Sequence, residues 1–135
     1  MKIAAVSEDG ITISQHFGRA PFYVIVTVED GKILSHETRD KMGHAQFAGD
    51  EREESHHKND PRGHGYDPAA QSRHFQMAAA IADCDYLLAR GMGSGAYENM
   101  KQAGIKPVIT DIPTINEAVQ AVITNQITDH VEKLD

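Results

Sequence analysis

The stretch that decides the fold is DCDYLLARGMGSGAYENMKQAGIKPVIT, at residues 83–110. The apolar run from Tyr86 to Ala89 predicts a buried strand, because four consecutive apolar side chains leave no polar face for water. The glycines between Gly91 and Gly95 then predict a sharp turn into a helix over Ala96 to Ala103. A second apolar run, Lys106 to Thr110, predicts the next strand. Strand, helix and strand in this order are typical of two parallel strands covered by a helix.

The residues before this unit predict further strands. Ile3 to Val6 is a continuous apolar run, and Phe22 to Val28 is rich in aromatic and β-branched residues. The pair Asp30-Gly31 is a two-residue hairpin signal, so we expect Ile33 to Thr38 to return antiparallel to the strand before it. A short strand is also expected at Ile11 to Ile13, where apolar and polar residues alternate.

Two more helices complete the pattern. One follows Asp67-Pro68, whose proline suits the first helical position, and extends from Ala69 to Ala82. The last begins at the capping box Thr114 to Glu117 and ends near Thr124. The apolar residues at helical spacing in the first of these helices are Phe75, Ala78, Ala79 and Ala82. We therefore predict an α/β fold in a single domain over residues 1–135, with a mostly parallel sheet, helices covering it, and one antiparallel strand from the hairpin.

Residues 41–66 break this pattern. They contain only five apolar side chains against nine charged ones, so they cannot bury enough surface to order themselves, and we predict a mobile His-rich insertion. Four of the eight histidines fall in this segment and a fifth follows it closely, so that five lie within 31 residues: His44, His56, His57, His64 and His74. Imidazole and carboxylate groups are common metal ligands, so this segment is a candidate metal site. The alternative is a solvated polar loop, since no two of these histidines are spaced to share one face of a predicted helix.

Two loops carry the residue types of an anion site. The segment His16-Phe17-Gly18-Arg19 lies between two predicted strands and places an imidazole and a guanidinium in one short loop. The other loop, which contains Gly91, Gly93, Ser94 and Gly95, opens a helix, where backbone N–H groups and the helix dipole attract negative charge. Both loops are also consistent with plain tight turns, in which glycine relieves the backbone and Phe17 packs inward.

The composition excludes several classes of function. The net charge is −7 and the basic residues are scattered, so nucleic acid is not an expected partner. The single cysteine, Cys84, excludes an internal disulfide and indicates a reducing compartment, so we expect a cytoplasmic protein. No apolar run is long enough for a signal peptide or a membrane span. Cys84 is also the only thiolate that the chain can offer to a metal or a cluster.

The order of these segments resembles the dinitrogenase iron–molybdenum cofactor biosynthesis family. The likeness is carried by His16 to Pro21, by Asp83 to Gly93, by Ala103 to Lys106 and by Thr114 to Ala118. The resemblance implies a three-layer, ribonuclease H-like arrangement with a five-stranded mixed sheet between helices. It also implies a non-enzymatic protein that binds or carries an iron–molybdenum cofactor or its iron–sulfur precursor, with His16 as a ligand.

The partner that such a role implies is a protein that donates or accepts the cluster. Because one cysteine cannot build a cluster, we expect the cargo to arrive assembled and to be held by histidine and backbone N–H groups, with Cys84 as a further candidate ligand. The chain itself is expected to be a monomer or a weak homodimer, since the hairpin edge at Ile33 to Thr38 is open to pairing.

Three other functions compete with this one. The His-rich segment alone would suit a metal-buffering or metal-responsive protein that binds zinc, nickel or copper. A metal-dependent hydrolase needs several inward carboxylates, of which the sequence offers Asp9 and Asp111 but none in the Ile3 to Val6 strand. A dinucleotide site is disfavoured, because the glycines follow G-x-G-x-G spacing and position 96 is alanine.

Overall fold

The computed structural model describes residues 1–41 and 75–134. Its strands are β1 (Lys2–Ser7), β2 (Phe22–Glu29), β3 (Lys32–Asp40), β4 (Tyr86–Ala89) and β5 (Lys106–Ile109). Its helices are α1, of which residues 75–79 are described, α2 (Ser94–Gln102) and α3 (Ile115–Ile123), followed by a 3₁₀ turn at Val131–Lys133. The strands, α2 and α3 all lie within two residues of their predicted bounds.

The strands form one sheet in the order β3-β2-β1-β4-β5. β1 pairs parallel with β4, and β4 pairs parallel with β5, whereas β2 is antiparallel to both β1 and β3. This order, with its second strand reversed, confirms the predicted five-stranded mixed sheet of the ribonuclease H-like arrangement. The hairpin at Asp30-Gly31 explains the reversal, because both residues have the positive φ that a tight two-residue connection needs (53° and 75°).

Helices cover both faces of the sheet. On one face, the Tyr23 hydroxyl donates to the carbonyl of Met77 at 2.8 Å, and the Arg39 guanidinium donates to the carbonyl of Ala80 at 3.1 Å. Tyr23 and Arg39 are cross-strand partners, so their side chains share that face. On the other face, His36 contacts Asn116 of α3, with 3.0 Å between Nε2 and Oδ1. The chain is therefore layered as helix, sheet and helix.

The core is centred on β1. Every residue of β1 from Ile3 to Ser7 is buried, as expected for a central strand covered on both faces. The helix α1 contributes differently from the prediction. Of the four predicted apolar positions only Ala78 is buried, whereas Phe75 is 70% exposed and Ala79 and Ala82 are also exposed. Met77 and Ile81 are buried in their place. Alanine is too small to define an apolar face, so the larger Met77 and Ile81, spaced four apart, decide which side of the helix packs.

The predicted strand at Ile11 to Ile13 is wrong. Only one isolated bridge, between Thr12 and Thr114, forms there. The carboxylate of Asp9 accepts the N–H groups of Ile11 and Thr12, both at 2.8 Å, so these groups are not available to a ladder. The same hydrogen bonds, from Thr12 first and then Ile11, lower the pKa of Asp9 to about 2.

Other predictions fall on residues that the structure does not describe. The His-rich insertion lies outside the described residues except for Lys41, and His44, His56, His57, His64 and His74 all lie outside them. In the two described segments, no helix has the length and apolar character needed to cross a membrane.

Candidate functional site

The candidate site lies at the edge of the sheet where β1, β4 and β5 end. Since these three strands are parallel, the loops that follow them meet at one edge. After β1 the chain continues to β2 on one side of it in the sheet, and after β4 it continues to β5 on the opposite side. The strand order therefore switches direction between β1 and β4, which are neighbours in the sheet. In open α/β sheets the crevice beyond such a switch point is the usual place for a ligand.

Two loops meet at this switch point. We call residues 14–21 the His16 loop and residues 90–95 the glycine turn. The N–H of Phe17 donates to the carbonyl of Gly91 at 3.0 Å, and the N–H of Arg90 donates to the carbonyl of Ser14 at 3.1 Å. The structure therefore brings together the two segments that the sequence analysis singled out.

Gly91 is required for this contact. A Cβ atom placed on Gly91 would lie 2.3 Å from the backbone oxygen of Gln15, which is far inside van der Waals contact. The two backbones can approach this closely only because glycine has no side chain. The sequence predicted that Gly91 contributes to anion binding. The structure gives a separate reason for a glycine at this position, which is that it lets the two loops touch.

The His16 loop exposes the side chains of Gln15, His16 and Arg19, whereas Ser14 is buried. The carbonyl of His16 accepts the N–H groups of Arg19 and Ala20, both at 3.1 Å, which closes a tight turn. Its N–H donates to Ser14 Oγ at 3.1 Å, and that hydroxyl in turn donates to Glu8 at 2.9 Å. His16, Gly18 and Arg19 are exposed, so the imidazole and the guanidinium are free to meet a ligand.

Phe17 anchors the loop. It is only 3% exposed and belongs to the hydrophobic core. Its N–H is bonded to Gly91, and its carbonyl accepts a hydrogen bond from the ammonium group of Lys41. The ring therefore packs inward, and Phe17 would support a ligand site through the loop that it holds in place.

A buried cation, Lys41, lies behind the His16 loop. Lys41 is 4% exposed, and its Nζ is 4.3 Å from the centroid of the Phe17 ring. Burial lowers the pKa of this lysine to about 8. No sequence pattern indicated the burial of Lys41, since a lysine at the border of a highly charged segment carries no signal of burial.

The glycine turn leads directly into α2. The N-cap residue, Gly93, has no side chain to accept the first N–H groups of the helix, and the first turn contains no acidic residue. Gly93, Ser94 and Gly95 are half-buried. The positive end of the helix dipole therefore lies next to the His16 loop, and no side chain caps it. This arrangement favours binding of an anion.

The chain segment after α3 also reaches this edge, which no sequence pattern indicated. Asp111, just beyond β5, contacts the ammonium of Lys133, and its Oδ2 is 3.2 Å from His130 Nε2. These charges lower the pKa of Asp111, Lys133 first, with smaller contributions from His130 and from Arg90 of the glycine turn. Leu134 then forms a parallel bridge with Met92 in the glycine turn.

The structure separates Cys84 from this site. Cys84 precedes β4, whereas the glycine turn follows it, so the thiol lies at the opposite edge of the sheet. It is 4% exposed, and burial together with the nearby Asp83 carboxylate raises the pKa of the thiol to about 12. A buried, protonated thiol is a poor metal ligand. Across residues 1–41 and 75–134, no three His, Cys, Asp or Glu side chains are grouped to hold a metal ion.

Solved structures share this fold. The crystal structure of PH0822 matches with a TM-score of 0.64 and 21% identity, covering 96% of this chain and 96% of that chain. The apo form of the orange protein from Desulfovibrio gigas matches with a TM-score of 0.62 and 20% identity, over 95% of this chain and 91% of that chain. The structure of MJ0327 from Methanocaldococcus jannaschii matches with a TM-score of 0.60 and 11% identity, covering 95% of this chain and 92% of that chain. Identities this low establish the fold alone.

The amino-acid sequence identifies the family of this chain. No match was found among curated proteins. A family model described as dinitrogenase iron–molybdenum cofactor matches residues 1–125, a range that includes both the His16 loop and the glycine turn. The chain therefore belongs to the dinitrogenase iron–molybdenum cofactor family.

Proposed function

We propose that this chain binds and carries an anionic metal–sulfide cluster, either an iron–molybdenum cofactor or its iron–sulfur precursor, at the edge where β1 and β4 end. The observation that carries the proposal is the direct contact of the His16 loop with the glycine turn at the switch point of the sheet. Membership of the dinitrogenase iron–molybdenum cofactor family supports the class of cargo.

Each group at the edge has a distinct role in this proposal. The exposed imidazole of His16 binds a metal atom of the cluster through a ring nitrogen. The exposed guanidinium of Arg19 and the N–H groups at the start of α2 offset the negative charge of the cluster by charge-assisted hydrogen bonds. Gly18 is exposed beside them and leaves room for the cluster to approach the backbone.

The cargo is proposed to arrive assembled. Cys84 is buried at the other edge of the sheet, so in this proposal it supplies no thiolate, and the imidazole is the ligand. A second protein in the cytoplasm therefore donates the cluster and another accepts it. The role is carriage rather than catalysis.

Binding of tetrathiomolybdate, a small molybdenum–sulfide anion, tests the proposal. The full chain is titrated without oxygen, and binding is followed by the visible absorption of the anion. Replacing His16 with alanine is expected to weaken binding about 10- to 100-fold, because the variant loses the ring nitrogens that contact the anion.

The matched control is His36→Ala. His36 is also an exposed histidine, but its ring contacts Asn116 of α3, away from the edge where β1 and β4 end. We expect this variant to bind like the wild type. Equal affinity of His16→Ala and the wild type, or equal losses in both variants, would refute the role of His16.

A further inference from the structure

The segment after α3 docks along the outer edge of β5. We call residues 126–134 the strap; they lie beyond the range matched by the family model. The N–H of His130 donates to the carbonyl of Ile109 at 2.8 Å, and the N–H of Ile109 donates to Asp129 Oδ1 at 2.9 Å. Both backbone groups of Ile109 are thus satisfied by the strap, at a position where β5 has no neighbouring strand in the described sheet.

Asp129 also connects the strap to α2. The Tyr97 hydroxyl donates to Asp129 Oδ2 at 2.6 Å, and this hydrogen bond is the main reason that the pKa of Tyr97 is raised to about 12. Tyr97 is the fourth residue of α2, and its N–H closes the first helical turn on the carbonyl of Gly93. One carboxylate therefore joins β5 to the first turn of the helix that the glycine turn opens.

The far end of the strap is held by charge. Asp111 lies between the ammonium of Lys133 and His130 Nε2, and the other ring nitrogen of His130 is 3.0 Å from Glu132. Beyond this cluster, Leu134 bridges to Met92, which is buried in the glycine turn. The strap thus contacts the proposed binding edge at two points, through Tyr97 and through Met92.

We propose that Asp129 and Asp111 are positioning residues for the ligand site: they fasten the strap, and the strap holds the glycine turn and the first turn of α2 in place for binding. This inference rests on the proposed function, because it assigns the strap a purpose at that same site. The physical reason is that a docked strap restrains the glycine turn and the first turn of α2 before the ligand arrives, which lowers the conformational entropy that binding would otherwise remove.

Replacing Asp129 with alanine tests the inference by two readouts. Amide hydrogen exchange at residues 92–97 of the full chain is expected to accelerate at least about tenfold, because the strap no longer restrains the turn. The affinity for tetrathiomolybdate is expected to fall about five- to tenfold. The milder variant Tyr97→Phe keeps the hydrogen bond from Ile109 to Asp129 and loses only the one from Tyr97. We expect a smaller increase in exchange and a smaller loss of affinity, and this variant replaces Asp129→Ala in the test if the alanine variant fails to fold.

The matched control is Asp85→Ala. Asp85 also accepts a backbone N–H through its carboxylate, from Lys2 at 3.0 Å, but it precedes β4 at the opposite edge of the sheet. We expect no acceleration at residues 92–97 in this variant. If exchange at these residues is the same in Asp129→Ala, Tyr97→Phe and the wild type, the strap does not position the turn and the inference fails. If the wild type does not bind tetrathiomolybdate, the proposed function fails, while the exchange measurement still decides whether the strap restrains the turn.

Discussion

Replacing Gly91 with alanine is expected to lower the free energy of unfolding by about 2 to 3 kcal/mol, the cost of forcing extra volume into a tightly packed region. The added Cβ would lie 2.3 Å from the backbone oxygen of Gln15, which is not the end of a flexible side chain and cannot swing away. Relief requires the His16 loop to move away from the glycine turn. That movement breaks the hydrogen bonds from Phe17 to Gly91 and from Arg90 to Ser14.

Urea denaturation followed by far-ultraviolet circular dichroism measures this effect. Gly93→Ala is the matched control, because a Cβ on Gly93 meets nothing within 4 Å and its φ of −79° suits alanine. We expect the control to stay within about 0.5 kcal/mol of the wild type, or to be slightly more stable. Equal stability of the two variants would show that the two loops do not meet at Gly91.

The same pair of variants separates stability from binding. Binding is measured at urea concentrations and temperatures at which Gly91→Ala is still folded. If the contact of the two loops forms the ligand site, this variant should bind tetrathiomolybdate at least about tenfold more weakly than the wild type. Gly93→Ala should keep more of the affinity, since it leaves the contact between the loops intact.

Replacing Lys41 with methionine is expected to raise the free energy of unfolding at pH 7 by about 2 kcal/mol. Burial lowers the pKa of Lys41 from 10.5 to about 8, and at 1.36 kcal/mol per pH unit the buried charge costs about 3 kcal/mol. Methionine has a similar shape and no charge. However, methionine leaves the carbonyl of Phe17 without a hydrogen-bond donor, and this loss reduces the expected stabilisation by about 1 kcal/mol.

The pH dependence gives the sign of this effect. Between pH 8 and about 10.5 the unfolded chain holds a proton on Lys41 that the folded chain has released, so folding is favoured as the pH rises through this window. The advantage of Lys41→Met should therefore be full below pH 8 and fall as the pH rises. By about pH 10.5 the variant should be less stable than the wild type by about 1 kcal/mol, because only the lost hydrogen bond to the Phe17 carbonyl then distinguishes the two proteins. Urea denaturation of both proteins at pH 7 and pH 10 measures the difference between their free energies of unfolding. Other groups titrate in both proteins, so their contributions cancel in this difference.

The control for this substitution is Lys106→Met. Lys106 is exposed, and its Nζ is 5.7 Å from the centroid of the Tyr86 ring, so it is also a lysine beside an aromatic ring. We expect no stabilisation and no comparable change between pH 7 and pH 10. A stabilising Lys41→Met that also weakens tetrathiomolybdate binding would indicate that the buried charge is kept for the ligand, because stability alone disfavours it. A destabilised Lys41→Met at pH 7 would contradict the prediction.

Secondary structure was largely predictable from the sequence because its causes are local. The apolar run of β4 and the hairpin signal at Asp30-Gly31 each act within a few residues. The pair Thr114 and Glu117 also marks the start of α3 correctly, although the Thr114 hydroxyl donates to the Glu117 carboxylate at 2.7 Å and makes no cap hydrogen bond to the backbone. The strand predicted at Ile11 to Ile13 failed for a reason that is also local but harder to see: the Asp9 carboxylate captures the N–H groups that a strand would use.

The candidate site was predictable only in part. The residue types of His16, Arg19 and the glycine turn marked two loops as unusual, and the structure places these loops in contact. Which residues face a ligand could not be predicted, because burial depends on distant partners. Phe17 and Cys84 were both candidate ligand-binding residues because of their position or their side-chain chemistry. Both are buried, and Cys84 lies at the other edge of the sheet.

The sequence by itself determined the kind of elements in this protein, their order and the likeness to its family, since apolar periodicity, turn residues and caps act over short distances. Only the tertiary structure decided that Gly91 is a point of backbone contact, that Lys41 is a buried cation, and that Asp129 joins β5 to α2. Each of these depends on atoms that are far apart in the chain and are brought together by the strand order of the sheet, and a one-dimensional pattern does not record that order.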